Sequence, residues 1–251
     1  MKYVLGVDVG GSGIKGALVD LKGGDFASDR LRIATPKKST PANCADVIAR
    51  IIESFADQLG EAPVGVAVPA PVVHGHLPHM ANLDKSWAGL DGAAFLGQRL
   101  SRPVGLINDA DAAGLAEVYY GAAKGVRGIV MVLTLGTGIG SAIINDGVLL
   151  PNTELGHVEL DGFDAEKRAS SGVKEREELS YEVWAKRLDR YLQHIEMLFS
   201  PDLFVIGGGI SKNHRQFLPL LHLRTRIVPA QLRNRAGIVG AAWAAAHPPA
   251  A

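Results

Sequence analysis

Asp8-Val9-Gly10-Gly11-Ser12-Gly13-Ile14-Lys15-Gly16 stands between two apolar runs, Tyr3 to Val7 and Ala17 to Val19. The pattern reads as a glycine-rich tight turn joining two short strands. Gly10, Gly11 and Gly13 are able to take positive φ, and their missing Cβ atoms let backbone N–H groups converge on an anion. That makes Gly10, Gly11, Ser12, Gly13 and Lys15 candidates for holding a phosphate, with Asp8 at the strand end in reach of a divalent cation. Taken alone, the stretch also reads as an ordinary hairpin turn.

Two further glycine loops shift the balance toward phosphate. Leu135-Gly136-Thr137-Gly138-Ile139-Gly140 lies between the apolar runs 128–134 and 141–145, a second hairpin of similar construction. Ile206-Gly207-Gly208-Gly209-Ile210-Ser211 ends a strand-like stretch from Leu203 and leads into polar residues able to start a helix, a setting in which backbone approaches a phosphate chain. Gly136, Thr137, Gly138, Gly140, Gly207, Gly208 and Gly209 join the donor-binding candidates. Neither loop has the spacing of a Walker A motif or of the dinucleotide fingerprint. Three such loops in one short chain point to a phosphoryl-transfer enzyme built from two similar halves.

The chain has 251 residues, 47% of them apolar, enough for a large domain or two lobes around a cleft. Its formal net charge is zero, which disfavours duplex nucleic acid as a partner. A single cysteine, Cys44, excludes an internal disulfide. There is no apolar leader followed by a cleavage site, and no apolar stretch of bilayer-spanning length, so the expectation is a cytoplasmic protein without a membrane partner.

Strands are expected near 2–8, 14–20, 25–33, 64–68, 104–107, 128–135, 138–145, 148–150 and 203–206. Thr40-Pro41 has the character of an N-cap and first helical residue for an amphipathic helix reaching Gly60. Asp91 caps a short helix to Leu100, Asp111 to Tyr120 is helical by spacing, Tyr181 to Phe199 is a long charged helix, and 237–246 is a helix of small residues. No low-complexity linker divides the chain. The expected domains are an N-terminal α/β lobe, 1–109, joined by the C-terminal helix 237–251, and a larger α/β lobe, 110–236, with a hinge rather than a tether near 110.

Asp8 to Gly16, Leu135 to His157 and Gly207 to Gly209 resemble the phosphate-1, phosphate-2 and adenosine elements of the actin-like sugar kinases, specifically the ROK group. The carrying run is Leu135-Gly136-Thr137-Gly138-Ile139-Gly140-Ser141-Ala142, then Asp146-Gly147, then Glu154-Leu155-Gly156-His157. Ala81 to Trp87, Asp161 to Ser170 and Leu179 to Ala185 are most similar to the polyphosphate glucokinase subgroup. The resemblance implies an α/β, two-lobed actin-like ATPase (ribonuclease H-like) fold with the active site in the interlobe cleft, and phosphoryl transfer to the C6 hydroxyl of glucose, with mannose as a further acceptor. The donor is inorganic polyphosphate, ATP or both, with Mg²⁺ held at Asp8, directly or through water. It also implies a homodimer, to which the helix Tyr181 to Phe199 would contribute unless it packs wholly inside its own lobe.

Asn108-Asp109 closes the strand Val104 to Ile107 and opens the next helix. A carboxylate here is able to accept the proton of a sugar hydroxyl, and is equally suited to cap the helix. By resemblance Asp109 is the general base. A hexose needs paired hydrogen bonds to neighbouring hydroxyls, and Asn82, Asn108, Asp109, Glu154, His157 and Glu166 supply the groups. Asn82, Glu154 and His157 match sugar-contacting positions of ROK kinases, and Glu166 matches through the Glu-x-x-Ala-Ser ending. From the residues alone, Glu166 also reads as part of a solvated charged run, and Trp87 as either a sugar-flanking ring or core. Many ROK proteins carry a cysteine-rich zinc loop before that ending; Leu160 to Ala165 has no cysteine, so no zinc is expected there. His74, His76 and His79 have metal-like spacing but lie in a Gly/Pro loop lacking a further ligand. Lys15, Lys85, Lys167, Arg168, Lys174 and Arg176 could line a track for a polyanion, or pair with Glu175, Glu177 and Glu178 on a solvated face. A sugar-responsive repressor or a non-catalytic sugar sensor is the alternative class. The first needs a helix-turn-helix module, for which the phosphate turn at residue 8 leaves no room, and Asp109 argues against the second.

Overall fold

The structure is a computed structural model and describes residues 3–248. The chain divides into two compact units, one running to Ala116 and resuming at Arg235, the other spanning Glu117–Asn234.

The first unit is built on strands β1 (Val4–Gly10), β2 (Gly13–Asp20), β3 (Asp25–Phe26), β4 (Leu31–Ile33), β5 (Val64–Val68) and β6 (Val104–Asn108). Their order is β3-β2-β1-β5-β6, with β4 also on β2; β1 runs antiparallel to β2 and parallel to β5, which is parallel to β6. β5 is buried at every residue, as a central parallel strand covered on both faces should be. Helix α1 (Pro41–Glu53) begins as expected, with Thr40 Oγ1 accepting from Asn43 N at 3.3 Å and Pro41 in the first turn. Its Cys44, Val47, Ile48, Ile51 and Ile52 line one buried stripe against the sheet. The helix does not continue unbroken to Gly60. Ser54 Oγ donates to Arg50 O at 2.9 Å, Phe55 leaves helical geometry, and α2 (Ala56–Leu59) is a separate turn. α3 (Gly92–Leu100) starts on Asp91, whose Oδ1 accepts from Ala94 N at 2.9 Å.

The other face of this sheet carries the helix Ala236–Ala246 at backbone contact. Gly6, Gly65 and Gly105 are in register across β1, β5 and β6, forming a row with no side chains. A Cβ on Gly6 would lie 2.0 Å from Ile238 O, on Gly65 1.9 Å from Ala241 O, and on Gly105 2.8 Å from Ala245 Cα. The small residues of the helix and the bare row of the sheet therefore require each other. α4 (Asp109–Tyr120) lies against the same helix, because a Cβ on Gly240 would meet Ala112 O at 1.7 Å.

The second unit repeats the plan. Strands β7 (Ile129–Leu135), β8 (Ile139–Asn145), β9 (Val148–Leu150), β12 (Leu203–Gly207) and β13 (Arg226–Pro229) are ordered β13-β12-β7-β8-β9, again an antiparallel hairpin flanked by two parallel strands. A small hairpin, β10 (Glu159–Leu160) and β11 (Phe163–Asp164), precedes α5 (Glu166–Ala169) and α6 (Ser171–Arg176). α7 spans Tyr181–Phe199, with Ser180 Oγ accepting from Val183 N at 3.3 Å, and buries Trp184, Leu188, Tyr191, Leu192 and Ile195 against Met131, Leu133, Phe204 and Ile206. Glu117, fully buried, is satisfied by Ala122 N, Gln231 N and Leu232 N at 2.8, 3.1 and 2.7 Å. β13 carries no sequence signal, because an exposed arginine and three half-buried residues ending in proline show no period.

Candidate active site

In the first unit the candidates gather at the carboxyl ends of β1, β5 and β6, the edge of a parallel sheet where ligands bind. Asp8 and Ile107 are both in register with Ala67. Two strand spacings therefore separate the Asp8 level from the start of Asn108-Asp109, about 10 Å. Asn108 is buried, and its Oδ1 accepts from Ala110 N at 2.9 Å and Asp111 N at 3.1 Å. It is Asn108, then, that caps α4, and Asp109 follows as the exposed first helical residue. The cap leaves the amide NH₂ as the group with which Asn108 would meet a hydroxyl.

The first glycine turn closes with Gly10 opposite Gly13. Lys15 Nζ lies 3.0 Å from Asp8 Oδ2, so the candidate cation ligand and candidate phosphate contact form an ion pair at the base of the turn. A Cβ on Gly237 would lie 3.6 Å from the Asp8 carboxyl carbon, in ordinary van der Waals contact, so the start of the C-terminal helix passes beside this group. A Cβ on Gly11 would sit 3.3 Å from Asn82 O, placing Asn82 beside the turn. The segment after Asn82 is tied down by Ser39: its Oγ accepts from Asp84 N at 3.0 Å, and its carbonyl from Trp87 Nε1 at 2.8 Å. Trp87 is fully buried, so it is core.

In the second unit, loops two and three adjoin. Gly208 has φ of 80°, and a Cβ there would strike Leu135 O at 2.2 Å. Among the described glycines of the three loops Gly208 alone takes positive φ, so the expectation for Gly10, Gly11 and Gly13 is corrected. Those residues need room, not left-handed backbone. Gly138 shows the same need, since a Cβ would meet Glu166 Oε2 at 2.3 Å. The outer side of loop two is fastened by α6, where Ser171 Oγ and Gly172 N donate to Gly136 O at 3.0 and 2.8 Å.

Three hexose candidates meet beside this loop. Glu166 Oε2 accepts from Ile139 N at 3.1 Å, which removes it from a merely solvated run. Glu154 and His157 bracket a single 3-10 turn, Leu155–His157, held against β8 because Gly156 leaves no room between it and Ile139. Tyr191 OH donates to Leu155 O at 3.2 Å from the core side. His157 Nδ1 lies 3.0 Å from Asp164 Oδ2 and 3.9 Å from Glu166 Oε1. The Asp164 hydrogen bond, opposed by partial burial and reinforced by the charges of Glu166, Asp164 and Glu154, holds the imidazole above its ordinary pKa. Ligand-type atoms of His157, Asp164 and Glu166 all fall within 4.8 Å of one another, and the direct His157–Asp164 hydrogen bond accounts for that closeness. Nothing in the sequence marks Asp164, which is one more charge in a charged run.

Other features stay outside this constellation. His74, His76 and His79 are exposed, and no metal-type cluster among the described residues includes them. Lys174 sits over the Tyr181 ring at 4.1 Å, Arg176 is 3.8 Å from Glu177, and Arg168 covers Phe163 at 4.5 Å. Burial pushes the Cys44 thiol up to about 11, the state of a core residue rather than a nucleophile. No helix among the described residues is long and apolar enough to cross a membrane.

The ROK family model matches residues 4–178. The polyphosphate glucokinase of Mycobacterium tuberculosis is 49% identical over 244 residues, covering 97% of this chain and 91% of that protein. The crystal structure of the inorganic polyphosphate/ATP-glucomannokinase from Arthrobacter sp. strain KM matches with a TM-score of 0.93 at 52% identity, covering 98% of this chain and 99% of that one. A ROK family glucokinase from Streptomyces griseus, solved with glucose and AMPPNP, shares the fold at a TM-score of 0.78 and 24% identity, over 96% of this chain and 98% of that one.

Proposed function

The chain belongs to the ROK family and has the two-lobed actin-like ATPase fold of its sugar kinases, and on that premise we propose that it is a polyphosphate-dependent glucokinase in which Asp109 is the general base. The observation that supports the role of Asp109 is its place: it is the exposed first residue of α4, directly after the buried Asn108 that ends β6, where the family resemblance puts the general base. In the reaction the Asp109 carboxylate takes the proton of the glucose C6 hydroxyl as that oxygen bonds to the terminal phosphorus of the donor. The bridging P–O bond breaks, and its electron pair leaves with the shortened polyphosphate. Asn82, Asn108, Glu154, His157 and Glu166 hold the hexose. The three glycine loops with Ser12, Lys15 and Thr137 hold the donor.

Asp8 suits Mg²⁺, which commonly takes one or two protein carboxylates and completes its shell with water and phosphate. Lys15 engages Oδ2 of that carboxylate, and the group stands beside the phosphate turn. When bound, Mg²⁺ neutralises charge on the transferring phosphoryl group. The name of the Arthrobacter relative, a polyphosphate/ATP-glucomannokinase, supports ATP as a second donor and mannose as a second acceptor. The family resemblance supports assembly as a homodimer.

The test is kcat/KM for long-chain polyphosphate and for ATP, at saturating glucose and fixed Mg²⁺. Polyphosphate should give the higher value, and a higher value for ATP overturns the preferred donor. In the same assay Asp109→Asn should lower kcat by ~10²–10⁴ while glucose binding persists in calorimetry. Near-normal turnover by that variant rejects the base.

A further inference from the structure

Two residues assigned to the hexose, His157 and Glu166, are joined by a third residue, the carboxylate of Asp164, which has no place in either motif. Asp164 ends β11 and is held opposite Glu159 by the β10–β11 pairing, with Asp161 and Gly162 at positive φ turning the hairpin. Its two oxygens do different work. Oδ2 lies 3.0 Å from His157 Nδ1, and Oδ1 accepts from Glu166 N at 3.2 Å. The side chain is 24% exposed, so the carboxylate is partly buried. An ionised carboxylate has no proton to give, so the hydrogen between it and the imidazole must sit on Nδ1. Nε2 is then the acceptor in the neutral ring.

We propose that Asp164 is a positioning residue for the acceptor sugar. It fixes the orientation and tautomer of His157, so that Nε2 is presented to a hexose hydroxyl as an acceptor, and through the Glu166 backbone it fixes the second ligand in the same act. The partner of one ring nitrogen sets the state of the other, and behind metal-ligating imidazoles the loss of such a carboxylate typically costs about 10–100-fold in metal affinity or activity, a scale carried over to this hexose contact. The Asp164 bond is also the first cause that raises the pKa of His157, so the acceptor role of Nε2 belongs to the neutral ring, above that pKa. The inference rests on His157 contacting the hexose, as proposed above.

The experiment compares Asp164→Asn, Asp164→Ala and His157→Ala in the full chain. Asparagine is isosteric, but with its oxygen on Glu166 N it offers an NH₂ to Nδ1, which must become the acceptor, so the proton moves to Nε2. Nitrogen-15 imidazole shifts of His157 should report that tautomer change. By calorimetry, glucose Kd should rise about 10–100-fold in Asp164→Asn and in Asp164→Ala. The polyphosphate KM and the melting temperature of Asp164→Asn should stay near wild type, a split that simple structural damage would not produce. An unchanged His157 tautomer in Asp164→Asn, or glucose Kd within twofold of wild type while His157→Ala raises it tenfold or more, overturns the role of Asp164. If His157→Ala leaves glucose Kd unaltered, the hexose contact itself is refuted and the proposal goes with it.

Discussion

Asn108 uses one side-chain oxygen for two backbone donors, Ala110 N and Asp111 N, and in doing so separates two roles that its neighbour could have held. By residue type and position in the chain, Asp109 reads equally as cap or base, because Asn and Asp are favoured at both places. Only the hydrogen bonds distinguish them. Asn108 is thereby given two duties, cap by Oδ1 and hexose contact by Nδ2, and serine can perform only the first. Asn108→Ala should lower unfolding free energy by about 1 kcal/mol, and Asn108→Ser by a few tenths, read from urea unfolding. Both should weaken glucose binding about fivefold, a lost hydrogen bond being worth about 1 kcal/mol. If serine restores glucose affinity together with stability, Asn108 is a cap and nothing more. Asp164 marks the opposite limit of legibility. The sequence shows it only as a charge among charges, and its meaning appears when a two-residue hairpin brings it against His157.

At the scale of elements, most of the chain announces itself where a capping side chain coincides with an apolar period. Thr40 before α1 and Asp91 before α3 cap as their sequence suggests, and in the structure Ser180 does the same before α7. The glycine hairpins are legible for the same reason, a turn signal flanked by apolar strands. The row Gly6, Gly65, Gly105 is not, since each glycine lies in a different strand and only register aligns them. A lone glycine in a strand predicts a bulge or a close approach, without saying to what. Here the partner is the helix Ala236–Ala246, whose backbone occupies the space that three side chains would fill. Gly65→Ala puts a methyl group 1.9 Å from Ala241 O, backbone that has to move. The variant should lose about 3 kcal/mol in urea unfolding, at the severe end of overpacking. Gly23→Ala, with nothing within 4 Å of the new methyl, is the control and should be neutral or slightly stabilised. A Gly65→Ala protein as stable as the control would show that the helix does not need the row.

At the scale of the molecule, the two units differ in how the chain supplies them, although their sheets share one plan. The second is continuous, Glu117–Asn234, with its own core of α7 on β7, β8 and β12. The first takes its sheet from one end of the chain and its covering helix from the other. Without that helix the glycine row and the buried face of β1, β5 and β6 open to water. Each unit holds one fully buried tryptophan, Trp87 in the first and Trp184 in the second, so the two cores can be followed separately. Trp184 is anchored inside its unit by Nε1 donating to Ala169 O at 3.0 Å and Ser170 O at 3.1 Å, whereas Trp87 depends on the packing of the first unit and on Ser39. A chain stopped after Asn234 should therefore show Trp87 emission shifted to that of exposed indole while Trp184 emission stays buried, read in Trp184→Phe and Trp87→Phe backgrounds respectively. The contrast follows from cooperative units that lose stability separately when contacts between distant parts of the chain are removed. If both tryptophans remain buried, the helix is dispensable to the first core; if both become exposed, the second unit does not stand without the first, and the division into separately stabilised units is wrong.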